Sequence, residues 1–421
     1  MSGDNTSVTP VRRIFKAGEL ALLYLPLFTV ALGYGAVLPI LPSVLERLHG
    51  STADAALPLH AGLLTGIYIG AFVIAAPLWG KVTDVRGPRI VLLAGLLGYA
   101  AATVWFGFVA SLEVAYMARF VAGVFAAAIL PATAAFIVAQ YRDTERARHL
   151  GWLSAASVVG FLVGPALTGW IHEFIATPQM TWASTLHVTA VPIWMTGVIA
   201  LVSAFGVALG VGSQRVAESS AEAGPSPRLC PPALTPRHIL LLSAIGAFGL
   251  GAFEVGLSLQ SQQSWRWSPS ALGWLYAMCS VAMLVIQFAL FAPLRSHVRP
   301  EKLIVAGFVI MAVGFALLAA TSAYGVVMGL VALIASGSGV LLPTLSVAAA
   351  DQAGAAVGTA IGYQNAAGNF GQAAGSAAVG LLISAPVLNS FAIVAIVMFA
   401  AAAVAWHMTR RPPQKALHDE V

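Results

Sequence analysis

The hydrophobic pattern of this 421-residue chain consists of long apolar runs separated by short polar stretches. A membrane-spanning helix needs about 20 mostly apolar residues, because the hydrocarbon core of a bilayer is about 30 Å thick. By that criterion the sequence predicts twelve spanning helices in two groups of six. We predict helices 1 to 6 near residues 20–45, 59–80, 89–109, 112–140, 148–172 and 188–211. We predict helices 7 to 12 near residues 238–262, 269–293, 302–321, 323–349, 356–384 and 386–408.

Composition supports an all-α membrane protein, because 59% of residues are hydrophobic and only 9% are charged. Soluble domains carry about 25% charged residues, so most of the exterior of this protein must face lipid. The basic residues form small groups and never a dense block, which argues against nucleic acid as a partner. Two cysteines, Cys230 and Cys279, and nine histidines without an H-E-x-x-H pattern predict neither a metal site nor a cofactor.

A polar segment at 212–237 separates the two groups of helices and is rich in Ser, Pro, Ala, Gly and charged residues. Such a segment cannot bury an apolar face, so we interpret it as a flexible linker. The predicted organisation is an N-terminal six-helix bundle at 1–211, a cytoplasmic linker at 212–237 and a C-terminal six-helix bundle at 238–421.

The two predicted bundles repeat one another. Six small residues of helix 5 return at identical spacing in helix 11, and Ile129-Leu130-Pro131 of helix 4 returns as Leu341-Leu342-Pro343 in helix 10. The small residues are Gly151, Ala155, Ala156, Gly160, Gly164 and Gly169 in helix 5, and Gly362, Ala366, Ala367, Gly371, Gly375 and Gly380 in helix 11. This duplication predicts two bundles related by a pseudo-twofold axis along the membrane normal, with substrate bound between them.

Charge predicts the orientation. Lys and Arg gather in the N-terminal tail, after helices 2, 4 and 8, in the linker and in the C-terminal tail. Arg47 and Arg266 fall on the opposite side, and Arg119 lies inside helix 4. The excess of basic residues on cytoplasmic loops predicts that both termini are cytoplasmic, in a multi-pass protein of the cell (inner) membrane.

The loop after helix 2 has the spacing Gly-x3-Asp-x2-Gly-x-Arg, formed by Gly80, Asp84, Gly87 and Arg89. Its glycines permit tight packing and unusual backbone angles. The loop resembles the signature G-x-L-A-D-R-x-G-R-R/K of the major facilitator superfamily, and its differences from that signature include Val85 and Pro88. The resemblance covers essentially the whole chain. It implies that this loop is a latch between helix 2 and the start of helix 11 that holds the outward-open state.

Helix 5 contains Gly160, Gly164, Pro165 and Gly169, where small residues four apart allow close helix packing and the proline bends the span. Ordinary membrane-helix packing would explain an isolated glycine pair. The run also resembles the antiporter motif G-x3-G-P-x2-G-G of the same superfamily, with Thr168 in place of one glycine. The resemblance implies membership of the 12-helix drug:proton antiporter group, whose members exchange substrate for protons.

Two charges fall inside predicted spans. Glu254 is the only carboxylate deep in any predicted helix, and Arg119 lies about six residues inside helix 4. A charge at that depth costs on the order of 2.5–3.5 kcal/mol, so intramembrane ionisable groups are functional hypotheses by default. We predict a proton-coupling role for Glu254; a structural pair with a buried polar group is the alternative. The superfamily resemblance implies a role for Arg119 in proton transfer, with snorkelling of its side chain to the interface as the alternative.

Four further polar side chains near mid-span are expected to line the substrate cavity: Tyr34, Tyr276, Asn365 and Asn369. Ligand cavities are mostly apolar with a few polar anchors. Each of these residues has plain helix packing as its alternative.

The predicted function is secondary active transport by alternating access. We predict a monomeric proton-coupled antiporter that exports small organic compounds such as drugs or toxic metabolites, with protons as its second partner. The alternatives are an importer or uniporter of a specific metabolite and, from another class, a membrane-embedded enzyme or a transporter-like sensor. No nucleophile motif and no G-x4-G-K-[ST] loop is present, so the sequence predicts neither an enzyme nor an ATP-driven pump.

Overall fold

A computed structural model of the chain describes residues 17–49, 56–140, 143–175, 190–210, 234–290, 297–352, 357–384 and 389–410, and all regular structure within them is helical. The first half contains α1 (Ala17–Val37), α2 (Leu41–His49), α3 (Leu57–Arg86), α4 (Pro88–Gly107), α5 (Leu112–Ala126), α6 (Ile129–Gln140), α7 (Asp143–Ile175) and α8 (Val191–Gly210). The second half contains α9 (Pro236–Gln263), α10 (Pro269–Val285), α11 (Pro300–Leu318), α12 (Tyr324–Gln352), α13 (Val357–Ser384) and α14 (Ser390–Arg410).

These helices match the twelve predicted positions, since α1 with α2 forms helix 1 and α5 with α6 forms helix 4. Within the described residues, nine segments are long and apolar enough to cross a membrane. The shorter apolar stretches Ala155–Ile171 and Ser270–Val285 lie in α7 and α10, and α13 is not among the nine. The all-α membrane fold is therefore confirmed, and the remaining three spans stay a prediction. The predicted linker lies outside the described residues up to residue 233.

Two helices that the sequence predicts as continuous are interrupted near prolines, which lack the N–H of a regular helix. Helix 1 passes through a 3₁₀ turn at Leu38–Ile40 before α2 begins. Helix 4 breaks ahead of Pro131, where the amide of Ala128 bonds to the carbonyl of Phe125 three residues earlier, at 3.1 Å. Each interrupted rod still forms one of the segments long and apolar enough to cross a membrane, Leu22–Leu48 and Leu112–Ile137.

In the first half, α7 packs directly on the main chain of α1. A Cβ atom added to Gly160 would overlap the carbonyl oxygen of Phe28, and one added to Gly164 would overlap that of Leu32. Small residues allow this backbone approach, which van der Waals contact stabilises in a membrane where no hydrophobic force acts between helices.

The second half repeats this arrangement. Gly371 and Gly375 of α13 face the carbonyl oxygens of Ala244 and Phe248 of α9. Thus the small-residue pattern shared by helices 5 and 11 meets equivalent carbonyls in the two halves. The duplication inferred from the sequence is expressed as two equivalent helix–helix interfaces.

The two halves meet at one end of the bundle. We call the end that carries Arg86, Arg89 and Lys302 the basic end, and the opposite end, which carries the turns at 264–268 and 319–323, the far end. At the far end α3 packs on α13, where Gly62 faces the Ser376 carbonyl and the main chain of Gly380.

The same two helices, α3 and α13, lie apart at the basic end. Toward the basic end, Cβ atoms added to Gly80 of α3 or Gly362 of α13 would meet no described residue within 4 Å. The halves therefore close the far end and leave the gap between them open toward the basic end.

The contact of α7 with the main chain of α1 predicts that one added methyl group lowers stability strongly. We expect Gly164→Ala to lower thermal stability by several degrees, because overpacking costs about 1–3 kcal/mol. The matched control is Gly329→Ala in α12, where no described atom lies within 4 Å of the added methyl. Thermal unfolding of the two purified variants in detergent measures the difference. Equal melting temperatures would contradict the α1–α7 contact.

Candidate functional site

The centre of the interface between the halves holds a buried carboxylate. Glu254, in α9, is 3% exposed. Its Oε2 accepts a hydrogen bond from the Tyr34 hydroxyl of α1 and another from Gln372 Nε2 of α13, the latter at 3.0 Å. Tyr34 belongs to the first half, whereas Glu254 and Gln372 belong to the second. One carboxylate oxygen therefore joins the two halves.

Close packing of the surrounding helices positions the two donors, Tyr34 and Gln372, beside Glu254. A Cβ at Gly251 of α9 would overlap the main-chain oxygen of Gln372, so only glycine allows α13 to lie this near. On the opposite side, Tyr34 is flanked by Gly33 and Gly35, and Gly35 contacts the carbonyl of Phe161. The tyrosine thus stands on a stretch of α1 held tightly against α7.

The charge of Glu254 is met by hydrogen bonds alone. No described residue donates to its Oε1, and no described cation lies within ion-pairing distance. A buried carboxylate in that situation changes its surroundings strongly when it gains or loses a proton, because a hydrogen bond to a charged acceptor is about twice as strong as a neutral one.

A stack of aromatic rings extends from this carboxylate into the first half. The Tyr34 ring lies on Tyr68, with centroids 5.7 Å apart, and on Phe161, at 6.0 Å. Arg119 places its guanidinium carbon 4.1 Å from the Tyr68 centroid and 5.5 Å from that of Phe106. The two charges predicted from the sequence are therefore connected through two tyrosine rings.

Arg119 does not snorkel to an interface. Its side chain is 5% exposed, and its Nε has no hydrogen-bond partner among the described residues. Cation–π contacts, which reach about 2 kcal/mol when desolvated, stabilise the charge in place of a carboxylate.

The predicted cavity residues fall into two groups. Tyr276 is fully buried and donates from its hydroxyl to the main-chain oxygen of Glu254, so it supports α9 from behind. Asn365 is exposed and Asn369 is half-buried, and both share a face of α13 with Gln372 because they lie seven and three residues before it. These two amides extend from the carboxylate toward the open, basic end.

The predicted antiporter motif lies at two interfaces. Gly160 and Gly164 contact α1, as described above, and Thr168 Oγ1 donates to the Ala36 carbonyl at 2.9 Å. On the other side, the carbonyl of Pro165 and the Cα of Gly169 face Gly273 of α10 in the second half. The motif therefore packs within its own half and also against the other half.

The predicted latch residues lie at the basic end. Gly87 ends α3 with φ 84°, a conformation that favours glycine, and its amide bonds to the Thr83 carbonyl at 2.9 Å. Arg89 Nη2 donates to the carbonyl of Ala208 at 2.6 Å, near the C-terminus of α8, where a cation is favourable. The side chain of Asp84 lies outside the described residues, and Gly80 is free of neighbours as noted above.

The family model of the Major Facilitator Superfamily matches this chain at residues 23–261 and 239–420. These matches cover more than half of the chain. The chain belongs to the Major Facilitator Superfamily. As a member, it is a multi-pass membrane transporter of small molecules and not an enzyme, and the family predicted from the loop and helix motifs is confirmed.

Individual relatives of this facilitator are resistance proteins. It is 26% identical to Multidrug resistance protein 2 of Bacillus subtilis over 66% of this chain and 67% of that protein. It is 28% identical to the class C Tetracycline resistance protein of Escherichia coli over 75% of this chain and 76% of that protein. In fold it resembles a bacterial homologue of the human lysosomal transporter Spinster, in an inward-facing and unoccupied conformation, with a TM-score of 0.74. That match covers 95% of this chain and 100% of the other at 14% identity.

Three residues of the site were not predicted from the sequence of this facilitator: Tyr68, Ser258 and Gln262. Ser258 and Gln262 follow Glu254 by four and eight residues and therefore share its face of α9. That spacing could have predicted both residues. No sequence pattern predicts the role of Tyr68, because Tyr68 stacks between Tyr34 and Arg119, which belong to other helices.

The open basic end predicts selective thiol labelling. In a Cys230→Ser background, we expect a water-soluble maleimide to react quickly with Asn365→Cys and slowly with Ser261→Cys, which is fully buried near the far end. The native Cys279 is 1% exposed and serves as an internal unreactive control. Mass spectrometry of the detergent-solubilised protein measures the rates. Faster labelling at position 261 would mean that the protein in solution opens at the far end.

Proposed function

We propose that this facilitator is a proton-coupled antiporter that exports small, largely apolar organic compounds, with Glu254 as the coupling carboxylate. The observation that carries the proposal is the hydrogen bond of Tyr34 to Glu254 across the interface between the halves. A proton on Glu254 changes the strength of a contact on which the relative position of the halves depends.

Alternating access follows from this bond. The ionised carboxylate accepts strongly from Tyr34 and Gln372 and holds α1 against α9. Protonation weakens both hydrogen bonds and eases the separation of the halves. In each cycle Glu254 takes one proton from outside and releases it inside. Substrate competes with Tyr34 and Gln372 for the deprotonated carboxylate and leaves in the opposite direction.

Arg119 is the second member of the proposed coupling pathway. It is a buried cation whose ring contacts connect it to Tyr34 through Tyr68. Protonation of Glu254 removes the negative charge that lies beyond the Tyr34 and Tyr68 rings from Arg119. The electrostatic field of Arg119 therefore makes the two protonation states unequal in energy.

The positive-inside rule supports a cytoplasmic basic end and cytoplasmic termini in the cell membrane. The gap between the halves then faces the cytoplasm, from which an exporter collects its substrate. In this state Arg89 bonds to the Ala208 carbonyl of α8. We propose that Gly80, Asp84, Gly87 and Arg89 form the latch to α13 only after the basic end closes.

The proposed substrate surface combines aromatic rings with few polar groups. Tyr34 and Phe161 offer ring faces beside the carboxylate, and Asn365 and Asn369 offer amides toward the open end. Such a lining fits flat organic compounds, in agreement with the multidrug and tetracycline resistance names of two relatives. We also propose a monomer as the working unit.

The decisive experiment measures proton movement. Proteoliposomes with an imposed pH gradient receive a panel of dyes and antibiotics, and a pH indicator records the response. We expect substrate-evoked proton flux from the wild type and its loss in Glu254→Gln, which keeps the side-chain shape but cannot exchange a proton. Glu46→Gln is the matched control, because Glu46 lies at the end of α2, away from the site.

The outcomes separate the candidate functions. Full proton-driven export by Glu254→Gln would falsify the coupling role. Substrate movement without proton flux in the wild type would favour an importer or uniporter. Absence of any flux across the panel, in protein that binds the same compounds, would favour a sensor.

A further inference from the structure

Three polar residues form a line on α9. Glu254, Ser258 and Gln262 lie four residues apart and therefore on one face of the helix, from the centre of the bundle to the far end. All three bond to the rod formed by α1, the 3₁₀ turn and α2 in the other half. We call this line the α9 seam.

The bonds of the seam continue from the carboxylate outward. Beyond the Tyr34–Glu254 bond, Ser258 Oγ donates to the Leu38 carbonyl at 2.6 Å. One turn further, Gln262 Nε2 donates to the Pro39 carbonyl. Side chains of the second half thus bind main-chain oxygens of the first half.

The Leu38 carbonyl lies where Pro42 interrupts the regular helix. In a regular helix the Leu38 oxygen would accept from the amide of residue 42, but Pro42 has no N–H. The chain forms a 3₁₀ turn at Leu38–Ile40 instead, and a carbonyl oxygen has two lone pairs, so it can accept a further bond. Ser258 is 2% exposed and supplies a donor to the Leu38 oxygen.

We propose that Ser258 and Gln262 are positioning residues that hold the far end shut, and that the α9 seam transmits the proton state of Glu254 to this gate. The proposal rests on the coupling role proposed above for Glu254. Tyr34 and Leu38 are one turn apart on the same rod, so release of Tyr34 lets the rod move away from Ser258. When the far end opens, water enters and hydrates the freed carbonyls.

Spin labels across the far end test the gate directly. Glu46→Cys and Gln263→Cys place labels at the ends of α2 and α9, in protein without Cys230 and Cys279. Pulsed electron resonance then measures the distance distribution. We expect Ser258→Ala and, separately, Gln262→Leu to raise the ratio of open to closed far ends about two- to tenfold, as loss of one hydrogen bond predicts.

Ser280→Ala is the matched control. Ser280 is also fully buried, but its hydroxyl bonds within α10 to the Tyr276 carbonyl at 3.1 Å. We expect its distance distribution to equal that of the wild type. Gln262 is only half-buried, so Gln262→Leu tests the gate even where Ser258→Ala folds poorly.

The pH response tests the transmission. We expect acidification to open the far end in the wild type, and this response to be lost in Glu254→Gln and reduced in Ser258→Ala with Gln262→Leu. Unchanged distances and pH responses in the seam variants overturn the gate, while loss of proton-driven export in Glu254→Gln would still support antiport. Conversely, if Glu254→Gln keeps its export and its pH response, the antiport proposal and the transmission both fail.

Discussion

The rest of this molecule is organised around a carboxylate that has no cation beside it among the residues that the structure describes. Burying an ionised group in an apolar centre is costly unless hydrogen bonds replace its lost water. Glu254 receives one donor from each half of the protein, Tyr34 and Gln372. Because one donor belongs to the other half, the group cannot change its charge without changing the interface. The protonation state of Glu254 and the relative position of the two halves thus depend on the same hydrogen bond, between Tyr34 and Glu254.

The glycine contacts explain how so exact an arrangement is maintained in lipid. In the first half α7 lies on the main chain of α1, and in the second half α13 lies on the main chain of α9. A change of side-chain rotamers therefore cannot loosen either pair of helices. The register of these contacts also pairs the two halves residue by residue. Leu38 stands six residues after Leu32, as Glu254 stands six after Phe248. The duplicated scaffold therefore carries a carboxylate in one half and a proline-bounded break in the other.

Much of the fold and part of the candidate site could be predicted from the sequence. The other features of the site could not, for physical reasons. Apolar runs fix where helices occur, and a lone acid in such a run marks Glu254, because both follow from the solvation of single residues. The contact of Tyr34 with Glu254 joins residues that lie far apart in sequence, so no local pattern predicts it. The break at Leu38–Ile40 had a local signal in Pro39 and Pro42, which hydropathy alone ignores. The latch of Gly80, Asp84, Gly87 and Arg89 stays a prediction, and Arg89 bonds to the Ala208 carbonyl of α8.

The two kinds of contact at the far end have different consequences for movement. Gly62, Gly380 and Gly273 present flat backbone surfaces, which separate without unlocking any side chain. In lipid such surfaces gain only modest van der Waals energy over lipid contact. The polar bonds of the α9 seam are exchanged for bonds to water when the far end opens, at a net cost of about 0.5–1.5 kcal/mol for each bond. Under the proposed gate the polar seam therefore contributes to the free-energy difference between the closed and open far end, and Glu254 gives it a group that a proton can neutralise.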